Sequence, residues 1–372
     1  MKVLIISLAY LPFIGGAELA VKEITDRIEG IDFDMITVDL DGKQKPIERI
    51  GKINIHRVGK GWLAKYLFPF LAGKKADELN QQNHYDAVWA VMANQAGLVA
   101  LKFKQKNPQV KYLLTLQEGD SLRRIWSRTW FMRSTYKNIY RQADFVQAIS
   151  SYLAKRAKKY GFSGEIKIVP NGVDLEAFKK DFSLAELEQL RKELGLLIHE
   201  KVLITTSRLV YKNGIDTLIK AVKDLPVKVL IIGSGSWEVK LKSLAQEIGV
   251  RDKILFLGYI EQKNLPQYLK ISDIFVRPSR SEGLGSAFLE AMAAGLPVIG
   301  TKVGGIPDFL QDGQNGLFCE VNNPSDLCGK VQLLLSDENL RQKLITNGLN
   351  LVLQQYDWKK IAQDMKEIFQ AL

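Results

Sequence analysis

Apolar residues come in short, nearly unbroken bursts along this chain, with amphipathic stretches between them. In the first part the bursts are Val3–Ser7, Met35–Val38, Ile53–Val58, Ala87–Val91, Tyr112–Leu116 and Phe145–Ile149. Such runs, rich in β-branched and aromatic residues, predict strands buried on both faces. Ala17–Ile28, Gly97–Lys106 and Leu122–Arg141 carry helical spacing instead. The pattern then restarts. Val202–Thr206, Val227–Ile232, Ile254–Leu257, Ile274–Val276 and Val298–Gly300 predict strands, and Gly214–Lys223, Glu238–Ile248, Asn264–Ile271 and Ala287–Ala294 predict helices. Strands alternating with helices imply parallel sheets covered by helices. The fold class is therefore α/β, with two Rossmann-like doubly wound domains, 1–165 and 166–356. Gly161–Phe178, carrying Gly, Pro and Asn, separates the two series and is expected to be the hinge. Sheets of this kind bind ligands at the carboxyl ends of their strands.

Composition narrows the class. At 372 residues the chain is comfortable for two cores. Two cysteines, Cys319 and Cys328, make no disulfide framework and suit a reducing cytosol as small packed residues. His56, His84 and His199 stand far apart in no ligand spacing, so no metal is expected. Lys2 and the run Val3–Ile14 imitate a signal peptide, but Pro12 and Gly15-Gly16 break the run, and a strand is the better reading. No stretch reaches the ~18–20 apolar residues of a membrane span.

Three strings carry chemistry. The most informative runs from Arg277 to Val298: a strand, a loop with Glu282, Gly283, Leu284 and Gly285, then a helix holding Glu290. Glycines let backbone approach a ligand, and the first amides of the helix face any anion there. Carboxylates accept hydrogen bonds from sugar and ribose hydroxyls. In the second string Arg208 and Lys212 lie four residues apart on a strand-to-helix loop, spaced to close around a diphosphate. In the third, Gly15 and Gly16 form the first strand-to-helix turn and can offer amides to the same group. Gly233-Ser-Gly235 is only a partial match to a dinucleotide fingerprint and alone would be a tight turn. Asp39-Leu-Asp41 imitates a metal-binding pair but ends a strand and reads as a turn.

Together these residues resemble glycosyltransferase family 4, a large retaining family of GT-B architecture. The resemblance adds Val169-Pro-Asn-Gly-Val-Asp174, Leu257-Gly258-Tyr259 and Gly304-Gly305-Ile306-Pro307, and covers nearly the whole chain. It implies two domains facing a central cleft, the nucleotide sugar in the second, and residues 357–372 crossing back to the first. It implies Arg208 and Lys212 at the diphosphate, Glu282 at the sugar, Glu290 at the ribose and Tyr259 at the base, with Gly16, Gly235, Gly283, Leu284 and Gly285 lining the donor. No cofactor is implied beyond the nucleotide-sugar substrate. There is one departure: where the family often has a histidine after a first-domain strand, this chain has Gln117, in Thr115-Leu-Gln-Glu-Gly-Asp120. Gln117, Glu118 and Asp120 are then candidates for the acceptor or sugar side. The expected activity is retaining, metal-independent transfer of a sugar to a hydroxyl acceptor in cell-envelope glycolipid or polysaccharide synthesis. The rivals are a nucleotide-sugar epimerase of the same architecture and a non-catalytic sugar-nucleotide-binding protein.

Charge adds a partner. Residues 1–175 carry 27 Lys and Arg against 17 Asp and Glu, while the remainder carry 25 against 24. Leu122–Arg141 interleaves six cations with Trp126, Trp130, Phe131, Tyr136 and Tyr140 and has no acid. Lys60–Phe70 is a shorter basic and aromatic stretch. Such segments lie on membrane interfaces, which predicts peripheral contact with an anionic membrane, a cytoplasmic protein at the inner face of the plasma membrane, and a lipid-linked acceptor. No nucleic-acid motif accompanies the charge.

Overall fold

The computed structural model describes residues 1–13, 15–120 and 133–372. The chain divides into two compact units: Met1–Gly172 with Trp358–Leu372, and Val173–Asp357.

The first unit is built on β1 (Lys2–Ile6), β2 (Asp32–Asp39), β3 (Ile47–Ile50), β4 (Ile53–Lys60), β5 (Ala87–Val91), β6 (Lys111–Leu116), β7 (Phe145–Ala148) and β8 (Glu165–Ile168). Among the described residues their order is β3-β4-β2-β1-β5-β6-β7-β8. Among the described strands only β3 runs against its neighbour. β1 lies inside, with Val3 opposite Phe33 on one side and Ala87 on the other. That place explains its composition. Val3, Leu4, Ile5 and Ile6 are completely buried, as a strand covered on both faces requires.

The boundary differs from the expected 165/166. Glu165–Ile168 is not a linker but the last strand of the first sheet, paired in parallel with β7 from Phe145↔Glu165 to Ala148↔Ile168. Its alternation of charged and apolar residues marks a half-exposed edge, which hid it among turn residues. The final helix, Trp358–Ala371, also belongs to this unit. Trp358, Ile361, Met365 and Phe369 enter the core with β1, β2 and β5. Phe369 meets Phe33 edge-on at 5.8 Å and Trp89 at 5.3 Å.

Of the expected basic-aromatic helix, Arg133–Arg141 is helical, and residues 122–132 lie outside the described residues. Tyr136 and Tyr140 are buried and pack on Tyr160. They face the protein, so an interfacial role for these two rings is corrected. Their hydroxyls satisfy each other at 3.0 Å.

The second unit carries β9 (Lys201–Thr206), β10 (Val227–Ile232), β11 (Ile254–Gly258), β12 (Ile274–Val276), β13 (Val298–Thr301) and β14 (Leu317–Cys319). The order among the described residues is β11-β10-β9-β12-β13-β14, parallel throughout. The first strand in sequence therefore pairs with both the second and the fourth. The chain reverses its direction of winding between β9 and β12, and the loops leaving these strands part to open a crevice.

Phe369→Ala removes a ring buried in three-way aromatic contact. It is expected to lower stability by ~3–5 kcal/mol, read as an early transition in chemical denaturation. An unchanged midpoint would show that the last helix does not hold the first core together.

Candidate active site

The carboxyl edge of the second sheet is where the candidate residues gather. Six parallel strands end there, and hydrogen bonds tie the loops after β9 to β13 together. The loop after β9 is held to the loop after β10 by Leu209 N to Ser234 O at 2.9 Å and Trp237 N to Leu209 O at 2.8 Å. Gly233 N reaches Gly258 O at 2.6 Å, joining the loop after β11. Thr301 Oγ1 donates to Ser279 O at 2.6 Å, joining the loop after β13.

The decisive link lies at the switch point. Asn213 Nδ2 donates to the Arg208 carbonyl at 2.6 Å, and Asn213 Oδ1 accepts from Arg277 Nη2 at 3.4 Å. The same Nη2 donates to Glu282 Oε2 at 2.6 Å, and Glu282 Oε1 accepts from the Gly283 amide at 3.2 Å. Arg280 N donates to Lys212 O at 2.7 Å. Arg280 also holds Asp216 with two bonds of 2.8 and 2.7 Å and stacks on Tyr211 at 4.2 Å. The Arg208–Lys212 loop and the Glu282 loop are thus one connected assembly.

Glycine is obligatory at two of these joints. Gly214 has φ +70, and a Cβ there would lie 1.9 Å from Pro278 O. Gly304 has φ +58, and its Cβ would lie 1.8 Å from Glu282 O. No side chain fits at either place. Gly285, at φ 105, caps the helix Ser286–Ala293 without a side-chain bond, which leaves the first amides of that helix unclaimed by a cap.

Two family profiles match the chain: Glycosyltransferase Family 4 over residues 14–177 and Glycosyl transferases group 1 over residues 187–351. The chain belongs to this family. An uncharacterized glycosyltransferase of Methanocaldococcus jannaschii is 27% identical over 99% of this chain and 98% of its own length. A GDP-mannose-dependent α-(1-6)-phosphatidylinositol monomannoside mannosyltransferase of Mycobacterium tuberculosis is 32% identical over 65% of this chain and 66% of its own. Among solved structures, sucrose-phosphate synthase from Thermosynechococcus elongatus superposes with a TM-score of 0.86 at 20% identity, covering 100% of this chain and 98% of that one. Anabaena HepE, in complex with UDP and glucose, gives 0.83 at 21%, covering 100% of both. The fold is GT-B, and the enzyme is a glycosyltransferase that uses a nucleotide-sugar donor.

Within this glycosyltransferase, Arg208 is exposed and Lys212 half-buried, both on the loop after β9. Glu282 is buried beside Arg277, not a surface group. Leu284 is buried, and Tyr259 is well exposed at the sheet edge. Gly235 sits tight under the loop after β9, where a Cβ would meet Leu209 O at 2.4 Å. Glu290 lies one helix turn inward and accepts from Gln262 Nε2 at 3.3 Å. Although its side chain keeps some solvent exposure, burial pushes its carboxyl up to about 7, against the Arg277 charge and the Gln262 hydrogen bond.

The first-unit candidates form a separate group. Gly15 caps the helix Gly16–Arg27. Gln117 Oε1 accepts from Asn171 Nδ2 at 3.1 Å, and a Cβ on Gly16 would lie 3.8 Å from the same nitrogen. Asn171 therefore brings Gly16 and Gln117 together. Glu118 Oε1 accepts from the Ala93 amide, and its Oε2 is buried without a partner. Burial raises the Glu118 pKa, with Arg156 opposing. The Asp120 carbonyl accepts from Arg156 Nη2 at 2.9 Å. Asp39 is buried and Asp41 bonds Lys43 N and Gln44 Nε2, the turn expected of them. Among the described residues, no group of three or more His, Cys, Asp and Glu could hold a metal.

Sequence reasoning passed over Arg277, Asn213 and Asn171. A signal existed for Arg277: a cation directly after the fully apolar strand Ile274–Val276 stands at the sheet's carboxyl edge by necessity. Nothing in the sequence marks the two asparagines as links.

Because the folded state favours protonated Glu290, that contribution to stability is complete below the ordinary carboxylate range. It is lost as pH rises through about 7. Glu290→Gln is neutral at every pH. Its melting-temperature gain over the parent is expected to grow between about pH 5 and about pH 8. A gain independent of pH would remove the charge explanation.

Proposed function

We propose that the enzyme is a retaining glycosyltransferase that passes a sugar to a hydroxyl of a lipid-linked, cell-envelope acceptor at the inner face of the plasma membrane. The observation that carries the donor half is the Arg208–Asn213–Arg277–Glu282 chain of contacts. It ties the loop that holds Arg208 and Lys212 to the loop that holds Glu282 on one sheet edge.

Arg208 and Lys212 flank the diphosphate, and the amides of Leu284 and Gly285 at the helix start face the same anion, while the Gly283 amide stays on Glu282. Glu290 accepts from the ribose hydroxyls, with Tyr259 beside the base and Gly235 leaving room for the backbone to approach. Glu282 keeps lone pairs beyond its two internal bonds and accepts from a sugar hydroxyl. As the bond from sugar to phosphate loosens, negative charge grows on the leaving phosphate. Fixed cations and amides stabilise that charge more in the transition state than in the ground state. The acceptor hydroxyl attacks from the face the phosphate leaves, and the phosphate oxygen takes its proton. The anomeric configuration is thereby kept.

The acceptor half rests on the first unit. Gln117, oriented by Asn171, presents its amide nitrogen as a donor to a hydroxyl or sugar oxygen. Gly16 offers backbone beside it, and Glu118 and Asp120 supply acceptors for the remaining hydroxyls. The mannosyltransferase relative that acts on phosphatidylinositol monomannoside supports a lipid-linked acceptor.

Two measurements test this. Arg208→Ala and Lys212→Ala are each expected to slow release of free nucleoside diphosphate by ~10²–10³ with an unchanged melting temperature. Full turnover in Lys212→Ala would contradict the phosphate role. In a thermal-shift panel of nucleotide sugars, the true donor at about 100 times its dissociation constant adds ~2.7 kcal/mol. That gain should shrink in both variants.

A further inference from the structure

The helix Ala64–Asn83 changes character along its solvent face. Its buried stripe is continuous: Ala64, Phe68, Ala72, Ala76 and Leu79. In the second half the exposed positions are polar, as at Lys74 and Glu78. In the first half they are Tyr66, Leu67 and Phe70, with Trp62 and Leu63 just ahead, and each of the five is more than half exposed. A solvated helix face does not carry five large apolar side chains in nine positions. A contiguous patch of that size marks an interaction surface.

Its electrostatics select the partner. Between Glu48 and Asp77 there is no acid, while Arg49, Lys52, Arg57, Lys60, Lys65, Lys74 and Lys75 are all basic. Lys65 Nζ lies 5.4 Å from the Trp62 ring and 5.0 Å from the Tyr66 ring. Lys60, at the end of β4, is exposed beside them. Gly61 N donates to Asp39 O at 2.8 Å, which holds the turn with exposed Lys43 and Lys45 nearby; Asp41 is the exposed acid there.

We propose that Trp62–Phe70 docks on an anionic lipid bilayer, the aromatic and aliphatic groups entering the headgroup boundary while the lysines meet lipid phosphates. Trp and Tyr with an apolar body and a polar tip, flanked by Lys, fit that boundary. A second copy of the chain would set lysine against lysine. The location is purposeful. β4 ends at the carboxyl edge of the first sheet, and Arg57 Nη2 bonds Leu11 O at 2.7 Å in the loop before Gly15. A bilayer seated here lies along the edge that carries Gly16 and Gln117. Among the described residues no helix is long and apolar enough to cross a membrane, so attachment through these residues is peripheral. The inference deepens the lipid-linked acceptor reading, but it is tested by binding alone.

The test is sedimentation of the full chain at low salt with vesicles of phosphatidylcholine alone or of phosphatidylcholine with phosphatidylglycerol. The chain is expected to pellet with the anionic vesicles and stay in solution with the neutral ones. Trp62→Ser with Phe70→Ser should weaken binding roughly tenfold or more, and Lys60→Glu with Lys65→Glu should do the same, both without a change in melting temperature. Failure of the parent to pellet, or equal binding by both variants, overturns the proposal. So does light scattering that shows the patch closing a dimer, lost in Trp62→Ser with Phe70→Ser. A transferase that pellets yet uses a soluble acceptor leaves the docking intact and removes only the acceptor class.

Discussion

The Arg277–Glu282 ion pair is the constraint on which the carboxyl edge of the second sheet depends. Both side chains are about nine-tenths buried, at 11% and 10% exposure. Two charges so far from water gain little net stability from each other, yet removing one partner typically costs 3–5 kcal/mol, because the other is left unpaired. Exposed pairs such as Lys263–Glu261 contribute far less. A buried pair retained under those terms is best explained by geometry. Through Asn213 it fixes the loop of Arg208 and Lys212, and through the Gly283 amide it fixes the start of the helix that carries Glu290. The raised pKa of Glu290 belongs to the same logic. A carboxyl held part-protonated near neutrality can donate as well as accept when it meets hydroxyls.

Parallel topology decides where such an assembly can stand. In both units the direction of winding reverses beside the first strand, between β1 and β5 and between β9 and β12. In each case a glycine-bearing loop leaves at the carboxyl end, Gly15-Gly16 in the first unit and Arg208–Gly214 in the second. At the opposite edge of the first sheet Lys2 N donates to Asp86 Oδ2 at 2.7 Å. The candidate residues accordingly stand at the carboxyl edge of each sheet, where ligands of such sheets bind. Residues far apart in sequence, such as Lys212 and Arg280, become neighbours by construction.

Strand runs buried on both faces were legible because nothing polar interrupts them; Val3–Ile6 and Val227–Ile232 stand out for that reason. The short edge strand β8 and the antiparallel β3, Ile47–Ile50, were not legible, since half-exposed edge residues look like loop. The site separates along a similar line. Glycines and charges in loops that follow strands are visible by type and spacing, so Arg208, Lys212, Glu282 and Glu290 could be named. The neutral connectors could not. Asn213 and Asn171 act through partners as far as 64 and 54 positions away, a separation that no local pattern encodes. The burial of Glu282 was also invisible, because its partner Arg277 reads as a loop cation.

The helix Ala64–Asn83 shows the limit of periodicity from the other side. Periodic reading works by contrast between a wet face and a dry one. In the first half of this helix both faces are apolar, so the contrast disappears and the segment does not announce itself as a helix, although Phe68 and Ala72 pack inward as in any amphipathic element. The loss of contrast therefore carries information of its own. Water tolerates Leu67 and Phe70 singly, but a run of such groups within a stretch free of acid implies that the second face also has an occupant. The fold provides the inner one. For the outer one the docking proposal supplies an occupant, and the lysines around Trp62 favour something anionic and extended.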